Sequence, residues 1–323
     1  MEPPSRAVLF LRRRKIRLVF FAKLCYNTPT FQKNDYGSGR KERPMIKITT
    51  DSTCDLPAYL LERHNISVIP LGIVKGDRLY RDGIDIRTTD IAAHVEAGGD
   101  ITTTNAVNIA DYEILFREQM EKYDAVIHIN IGPGFSCCHQ NARLAAEDIP
   151  GVSVVSSENL SVGHGAMVLA AAEAAEAGKS VSEILALLED LTARLEMSFV
   201  LDRLDYMKKG GRCSAVTALG ANLLKLHPCI EVVGGKMAVT KKFRGSIEKV
   251  VADYVRERLE GRTDLDTSRV ILVDTCPDDH LASIAREYLQ NDGRFGEIIE
   301  TKAGCTIFSH CGPGTLGLLL MRK

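Results

Sequence analysis

The stretch Ala125–Gln140 constrains the fold more than any other part of the chain. It opens with Val126, Ile127, Ile129 and Ile131, β-branched residues in a run that reads as a buried strand. It breaks at Gly132-Pro133-Gly134 and resumes with helical character at Asn141-Ala-Arg-Leu-Ala-Ala. A strand that ends in glycines and opens a helix leaves backbone N–H groups pointing outward. With the partial positive charge of the helix start, such a turn suits an anion, and Ser136 adds a hydroxyl. Taken alone, Gly-Pro-Gly is more readily a plain tight turn, so the rest of the chain must decide.

From Met45 to Met197 the chain repeats this strand–helix alternation, which predicts a mostly parallel sheet covered by helices. Expected strands are Ile46–Thr50, Ser67–Val74 and Val152–Val155. Expected helices follow Pro57 to His64, Thr88 to Ala97, Asp111–Tyr123, Gly165–Ala177 and Val181–Met197. Beyond Ser198 the pattern changes. Short helices are expected over Asp202–Lys209 and Val216–Leu226, and a hairpin turns at Gly234-Gly235. A long helix covers Ser246–Glu260 and a further one His280–Gln290, with strands at Val270–Asp274, Glu297–Thr301 and Thr306–Ser309. The fold class is therefore α/β, with an α/β domain over 45–197 and an α+β domain over 198–323.

Residues 1–44 stand apart. They carry 11 Lys/Arg against 3 Asp/Glu, whereas the other 279 residues carry a net −9. Their apolar run, Leu18–Ala22, is too short for a signal-peptide core or a membrane span. Met45 runs straight into the first strand, so residues 1–44 read as a disordered or mis-assigned extension. A membrane-surface or nucleic-acid arm is the alternative. The acidic body, with no Trp and 6% aromatics, argues against a nucleic-acid partner. Nine cysteines without a CxxC pair read as reduced thiols of a cytoplasmic protein. Cys305 and Cys311 flank His310 at a spacing that raises a metal site, but no second Cys/His pair completes a zinc pattern.

Familiar catalytic motifs are missing. Gly178-Lys179-Ser180 lacks the upstream glycine of a phosphate loop, since residue 173 is Glu, and no serine sits in a GxSxG elbow. A Ser136 and His310 pair meeting in space would make a hydrolase or acyltransferase, the competing class. Four segments can line one site: Thr102–Asn105, the Gly132–Ser136 turn, Lys208–Arg212 and His310–Gly314. They offer hydroxyls, backbone donors, a guanidinium and an imidazole, equipment for holding a carboxylate or phosphate. They offer no evident carboxylate base.

Three of the chain's segments carry a resemblance. Thr50-Asp-Ser-Thr-Cys-Asp-Leu-Pro57, Leu204-Asp-Tyr-Met-Lys-Lys-Gly-Gly-Arg212 and His310-Cys-Gly-Pro-Gly314 occur in an order and spacing that resembles the DegV family of fatty-acid-binding proteins, from Met45 to the C-terminus. The resemblance implies two domains, N-terminal α/β and C-terminal α+β, with a long-chain fatty acid such as palmitate in a tunnel between them. It puts the carboxylate on Thr104 and Ser136, with His310 and Arg212 nearby and Gly134 and Phe135 in the same set. It implies no catalytic residue, metal or cofactor. It also implies a separate fatty acid kinase as partner, to which bacterial relatives present the bound lipid, and no integral membrane association. Two loops depart from the family pattern. Thr-Ser-Gln-Pro-Ser is here Thr104-Asn105-Ala106-Val107-Asn108, and Ser-Ser-Gly-Leu-Ser-Gly-Thr is here Gly132-Pro133-Gly134-Phe135-Ser136-Cys137-Cys138.

Overall fold

Strand β1 (Ile46–Asp51) is buried on both faces from Lys47 onward, as a strand covered by helices on each side must be. The computed structural model describes residues 45–217 and 226–323. The expected extension, residues 1–44, lies outside the described residues, as does most of the helix expected over Val216–Leu226. Helix α1 (Ala58–Arg63) returns the chain to β2 (Ser67–Ile69), which pairs parallel with β1. The single strand expected over Ser67–Val74 is in fact two. Pro70 has no N–H to continue a ladder, and β3 (Gly72–Lys75) leaves to form a hairpin with β4 (Arg78–Arg81). After α2 (Thr88–Glu96), β5 (Thr103–Asn105) joins β3 with Thr104 opposite Ile73. This small antiparallel sheet, β4-β3-β5, was not expected from the alternation.

Helix α3 (Ile109–Met120) leads into β6 (Ala125–Asn130), parallel to β1. Helix α4 (Cys138–Ala146) leads into β7 (Val152–Ser156), parallel to β6. The four-stranded sheet has the order β2-β1-β6-β7. The connection after β1 therefore runs to one side and the connection after β6 to the other. Such a switch point opens a crevice at the carboxyl ends of the two strands.

Helix α5 (Ser161–Glu176) is apolar all round and buried, which a helix tolerates only when it is covered on every side. It packs on β1 and β6 of the first sheet and on β8 and β11 of the second. Helix α6 (Val181–Arg194) stops before the expected Met197, because Leu195–Val200 (β8) pairs with two strands of the second sheet. Tertiary pairing overrides the helical propensity of Leu195, Glu196 and Met197.

Next come α7 (Leu204–Gly210), α8 (Ser214–Thr217), β9 (Leu226–Val233) and β10 (Lys236–Arg244). Gly234 and Gly235 both have positive φ at the expected hairpin turn. The chain ends with α9 (Ile247–Leu259), β11 (Arg269–Asp274), α10 (His280–Asp292), β12 (Glu297–Lys302), α11 (Cys305–Cys311) and β13 (Leu316–Met321). Cys305–Cys311 is a helix where Thr306–Ser309 was expected to be a strand. The six-stranded sheet, β10-β9-β8-β13-β11-β12, is antiparallel except for β11 with β12. The protein is thus mixed α/β, with an N-terminal parallel sheet and a C-terminal domain on a mixed sheet. Among the described residues no helix is long and apolar enough to cross a membrane.

Candidate functional site

At the carboxyl ends of β1 and β6 a buried carboxylate fixes the backbone. Asp51, fully buried, accepts through Oδ1 from Thr53 N–H (3.0 Å) and through Oδ2 from Ile131 N–H (3.0 Å). The second bond pins the residue that enters the Gly132–Ser136 turn. Beneath it lies a polar network. His128 Nδ1 pairs with Thr49 Oγ1 (2.7 Å), and His164 Nε2 donates to Ile129 O (3.0 Å). Burial pushes the His128 imidazole down to about 3 and lowers that of His164, so both are neutral at pH 7 and serve as hydrogen-bonding spacers.

The turn rests against the hairpin tip of the second sheet. A Cβ on Gly134 would stand 2.2 Å from Gly235 O, so only glycine allows the two backbones this approach. Ser136 Oγ accepts from Cys138 N–H (3.2 Å) and donates to Cys138 Sγ (3.2 Å). Neither bond reaches an imidazole, so the serine–histidine pair needed for a hydrolase is not formed.

Helix α11 carries His310 to the same place. Its start is held by two buried carboxylates from the N-terminal half. Asp82 accepts from Cys305 N–H (2.9 Å), Thr306 N–H (3.1 Å) and Thr306 Oγ1 (2.6 Å). Asp55 Oδ1 accepts from Gly304 N–H (2.8 Å), and its other oxygen bonds Ser161 Oγ (2.5 Å). Burial above all pushes the Asp55 carboxyl up to about 8, so it is largely protonated at neutral pH. At the far end His310 Nε2 pairs with Thr104 Oγ1 (2.9 Å). Burial first, then the charge of Arg212, pushes the His310 imidazole down to about 4. Its Nδ1 has no partner among the described residues and faces Gly210, where a Cβ would stand 2.1 Å away.

Arg212 closes the ring. Nη1 donates to Gly210 O (2.7 Å) and Nε to Phe135 O (3.4 Å), and among the described residues it forms no ion pair. Thr104, Phe135, Ser136, Arg212 and His310 all line one cavity of about 440 Å³, a volume suited to a small organic ligand. Gly134 is not in its wall and packs on Gly235 instead. Asn105, Asn108 and Asn141 add amides to the lining, and Leu71, Ile131, Leu160, Phe199, Met237 and Ile307 add its large apolar side chains. Those apolar members were missed in sequence, since they come from six separate segments joined only by folding. Asp51 and Asp55 sat in a quoted motif, but nothing in the motif says that they anchor the turn and α11.

The donors in this lining, hydroxyls, amides and a guanidinium, are of the kind that hydrogen-bond an anion. Burial pushes the Cys311 thiol, which lines the cavity, up to about 12, so it is protonated and unreactive. The suggested Cys305–His310–Cys311 metal group does not assemble among the described residues. Cys305 Sγ donates to Ile86 O (3.4 Å), while His310 turns to Thr104.

Comparison with known proteins gives consistent results. The family model described as "Uncharacterised protein, DegV family" matches residues 45–323. A DegV domain-containing protein of Deinococcus radiodurans is 30% identical over 276 residues, covering 85% of this chain and 98% of its own. A fatty-acid-binding DegV family protein from Thermus thermophilus superposes with a TM-score of 0.79 at 32% identity, over 86% of this chain and 100% of its own. DegV from Bacillus subtilis, described as a fatty acid binding protein, gives 0.75 at 26% identity, over 87% and 100%.

Proposed function

The chain belongs to the DegV family, and from that premise we propose that its cavity binds a long-chain fatty acid such as palmitate. The carboxylate lies at the end lined by Thr104, Ser136, Arg212 and His310, and the alkyl chain lies along the wall from Leu71 to Met237. The observation that carries this reading is that two hydroxyls, an imidazole and a guanidinium with no ion pair among the described residues line the same cavity as six large apolar side chains. The Thermus and Bacillus relatives are themselves described as fatty-acid-binding, which supports it.

Energetically the two ends do different work. Each buried methylene contributes about 0.8 kcal/mol, so the alkyl chain supplies most of the affinity. The polar end fixes orientation, because a buried carboxylate must be hydrogen-bonded or paired. Thr104 and Ser136 donate hydroxyl hydrogens to it, and Arg212 supplies the countercharge. The Gly134-Phe135 segment shapes the turn around it. Replacing both hydroxyls, Thr104→Ala with Ser136→Ala, lowers palmitate affinity by about tenfold or more without unfolding the protein. Titration calorimetry checks this, and equal affinity in the double variant rejects the head-group assignment.

The protein is a binding component rather than an enzyme, because its cavity offers a lipid acid but no activated nucleophile. It presents the carboxylate to a separate fatty acid kinase in the cytoplasm, the compartment in which its cysteines stay reduced. The family resemblance supports this step. Acyl phosphate formed by a purified kinase with ATP only when the loaded protein is added tests it, and equal turnover of free palmitate rejects it.

A further inference from the structure

The connection from β11 to α10, whose Cys276, Asp278 and His280 are not in the cavity wall, gathers three metal-ligating side chains within five residues. Cys276 Sγ, a carboxylate oxygen of Asp278 and a ring nitrogen of His280 lie within 4.8 Å of one another. We propose that this cluster binds a divalent ion of the zinc class, tying the end of β11 to the start of α10.

The donor set supports that choice. One thiolate, one imidazole and one carboxylate suit zinc, whereas calcium or magnesium calls for oxygen donors alone. Bond lengths of about 2.0–2.3 Å place ligand atoms of a tetrahedral zinc about 3.3–3.8 Å apart. The three atoms therefore need only small movements to enclose an ion. Cys276 is the fixed member, since it is buried and its N–H donates to Asp274 Oδ1 (2.8 Å). Asp278 and His280 are exposed and already hydrogen-bonded to each other, so they can swing apart to admit the ion. Remaining positions fall to water.

The local field favours a cation. Asp274, Asp278 and Asp279 face Lys302, which contacts Asp274 (3.0 Å) and Asp279 (2.9 Å), and Arg286, whose charge is already paired with Glu300. The partial positive charge at the start of α10 is about half an elementary charge, smaller than this carboxylate excess. Binding has one chemical requirement. Burial, and then Asp274, pushes the Cys276 thiol up to about 11, so the thiol is protonated without metal. When the Sγ–metal bond forms, the S–H bond breaks and its proton leaves to solvent.

The test uses the full chain with zinc, and with cobalt as a spectroscopic probe. Calorimetry is expected to find one zinc per chain, and cobalt to give a thiolate charge-transfer band. Cys276→Ser abolishes the band, and His280→Ala lowers zinc affinity by at least about tenfold. Since His280 is exposed, the His280→Ala protein melts like wild type without metal but loses the rise in melting temperature that zinc produces. Cys137→Ser, removing the exposed thiol of the cavity, leaves both readouts unchanged. Failure of wild type to bind zinc saturably, a band that survives Cys276→Ser, or unchanged affinity in His280→Ala overturns the proposal.

Discussion

A methyl group at residue 210 would stand 2.1 Å from His310 Nδ1, closer than any carbon–nitrogen contact allows. Gly210 ends α7 with an ordinary helical backbone, so its value lies in the missing side chain rather than in backbone freedom. Alanine there gains up to about 1 kcal/mol in helix propensity but overpacks the site at a cost of about 1–3 kcal/mol. The strain is relieved when the ring turns off Thr104. Gly210→Ala is therefore expected to keep the fold and near-native melting, while palmitate affinity falls by about tenfold, read by calorimetry. An unchanged affinity would mean that the Thr104–His310 pair does not matter to the ligand. Residues of this kind explain what was legible. Thr104, Ser136, Arg212 and His310 do line one cavity: the polar segments that hold them could be read from the residues, and the family resemblance singled out Thr104 and Ser136 within them. Gly210 was quoted only as part of a motif, since a glycine's neighbours across the fold leave no trace in the sequence around it.

At the scale of elements, helix α11 is the clearest case of tertiary control. Thr306, Ile307 and Phe308 favour a strand by composition, but Asp82, distant in sequence, satisfies the N–H groups of Cys305 and Thr306 and so starts a helix. No window around Thr306 contains that information. The same holds for β8, whose partners β9 and β13 lie far downstream, and for the three-residue β5. The long hairpin and helices α9 and α10 were legible because their signals are local: two glycines at a turn, and apolar residues at helical spacing. Asp55 anchors α11 in a pH-dependent way. Its carboxyl is held at about 8 when folded, against an ordinary carboxylate value near 4 when unfolded. Between about pH 4 and pH 8 the unfolded form has shed a proton that the folded form keeps, so Asp55 costs stability as pH rises through this window. Asparagine preserves both contacts, accepting from Gly304 and donating to Ser161, and tolerates the left-handed backbone found at residue 55 (φ 48°). Asp55→Asn should thus gain about 2–4 kcal/mol on wild type between pH 5 and pH 8. Denaturant unfolding at the two pH values checks this, and parallel behaviour of the two proteins would show that Asp55 is ionised when folded.

For the whole molecule, three separate sheets contribute walls to one cavity. Thr104 comes from the small antiparallel sheet, the Ser136 turn from the parallel sheet, and Met237 and Phe199 from the mixed sheet. Helix α5 locks the two larger sheets together from behind, so the cavity exists only while all three sheets stay docked. A ligand that fills it therefore binds the folded state and not the unfolded chain. Its effect on stability follows from mass action, about 2.7 kcal/mol at a free concentration a hundredfold above Kd. For a chain of this size each kcal/mol raises the melting temperature by about 2–4 °C. Palmitate at that excess should therefore raise Tm by about 5–10 °C in wild type. At the same concentration, the Thr104→Ala, Ser136→Ala protein should show a clearly smaller rise. The methyl ester of palmitate separates the two ends of the ligand, because it keeps the alkyl chain and removes the charge. If the ester raises Tm as much as the acid, the polar end is not a carboxylate site although the cavity still takes lipid. If neither compound moves Tm in wild type, the cavity does not hold a long alkyl chain at all.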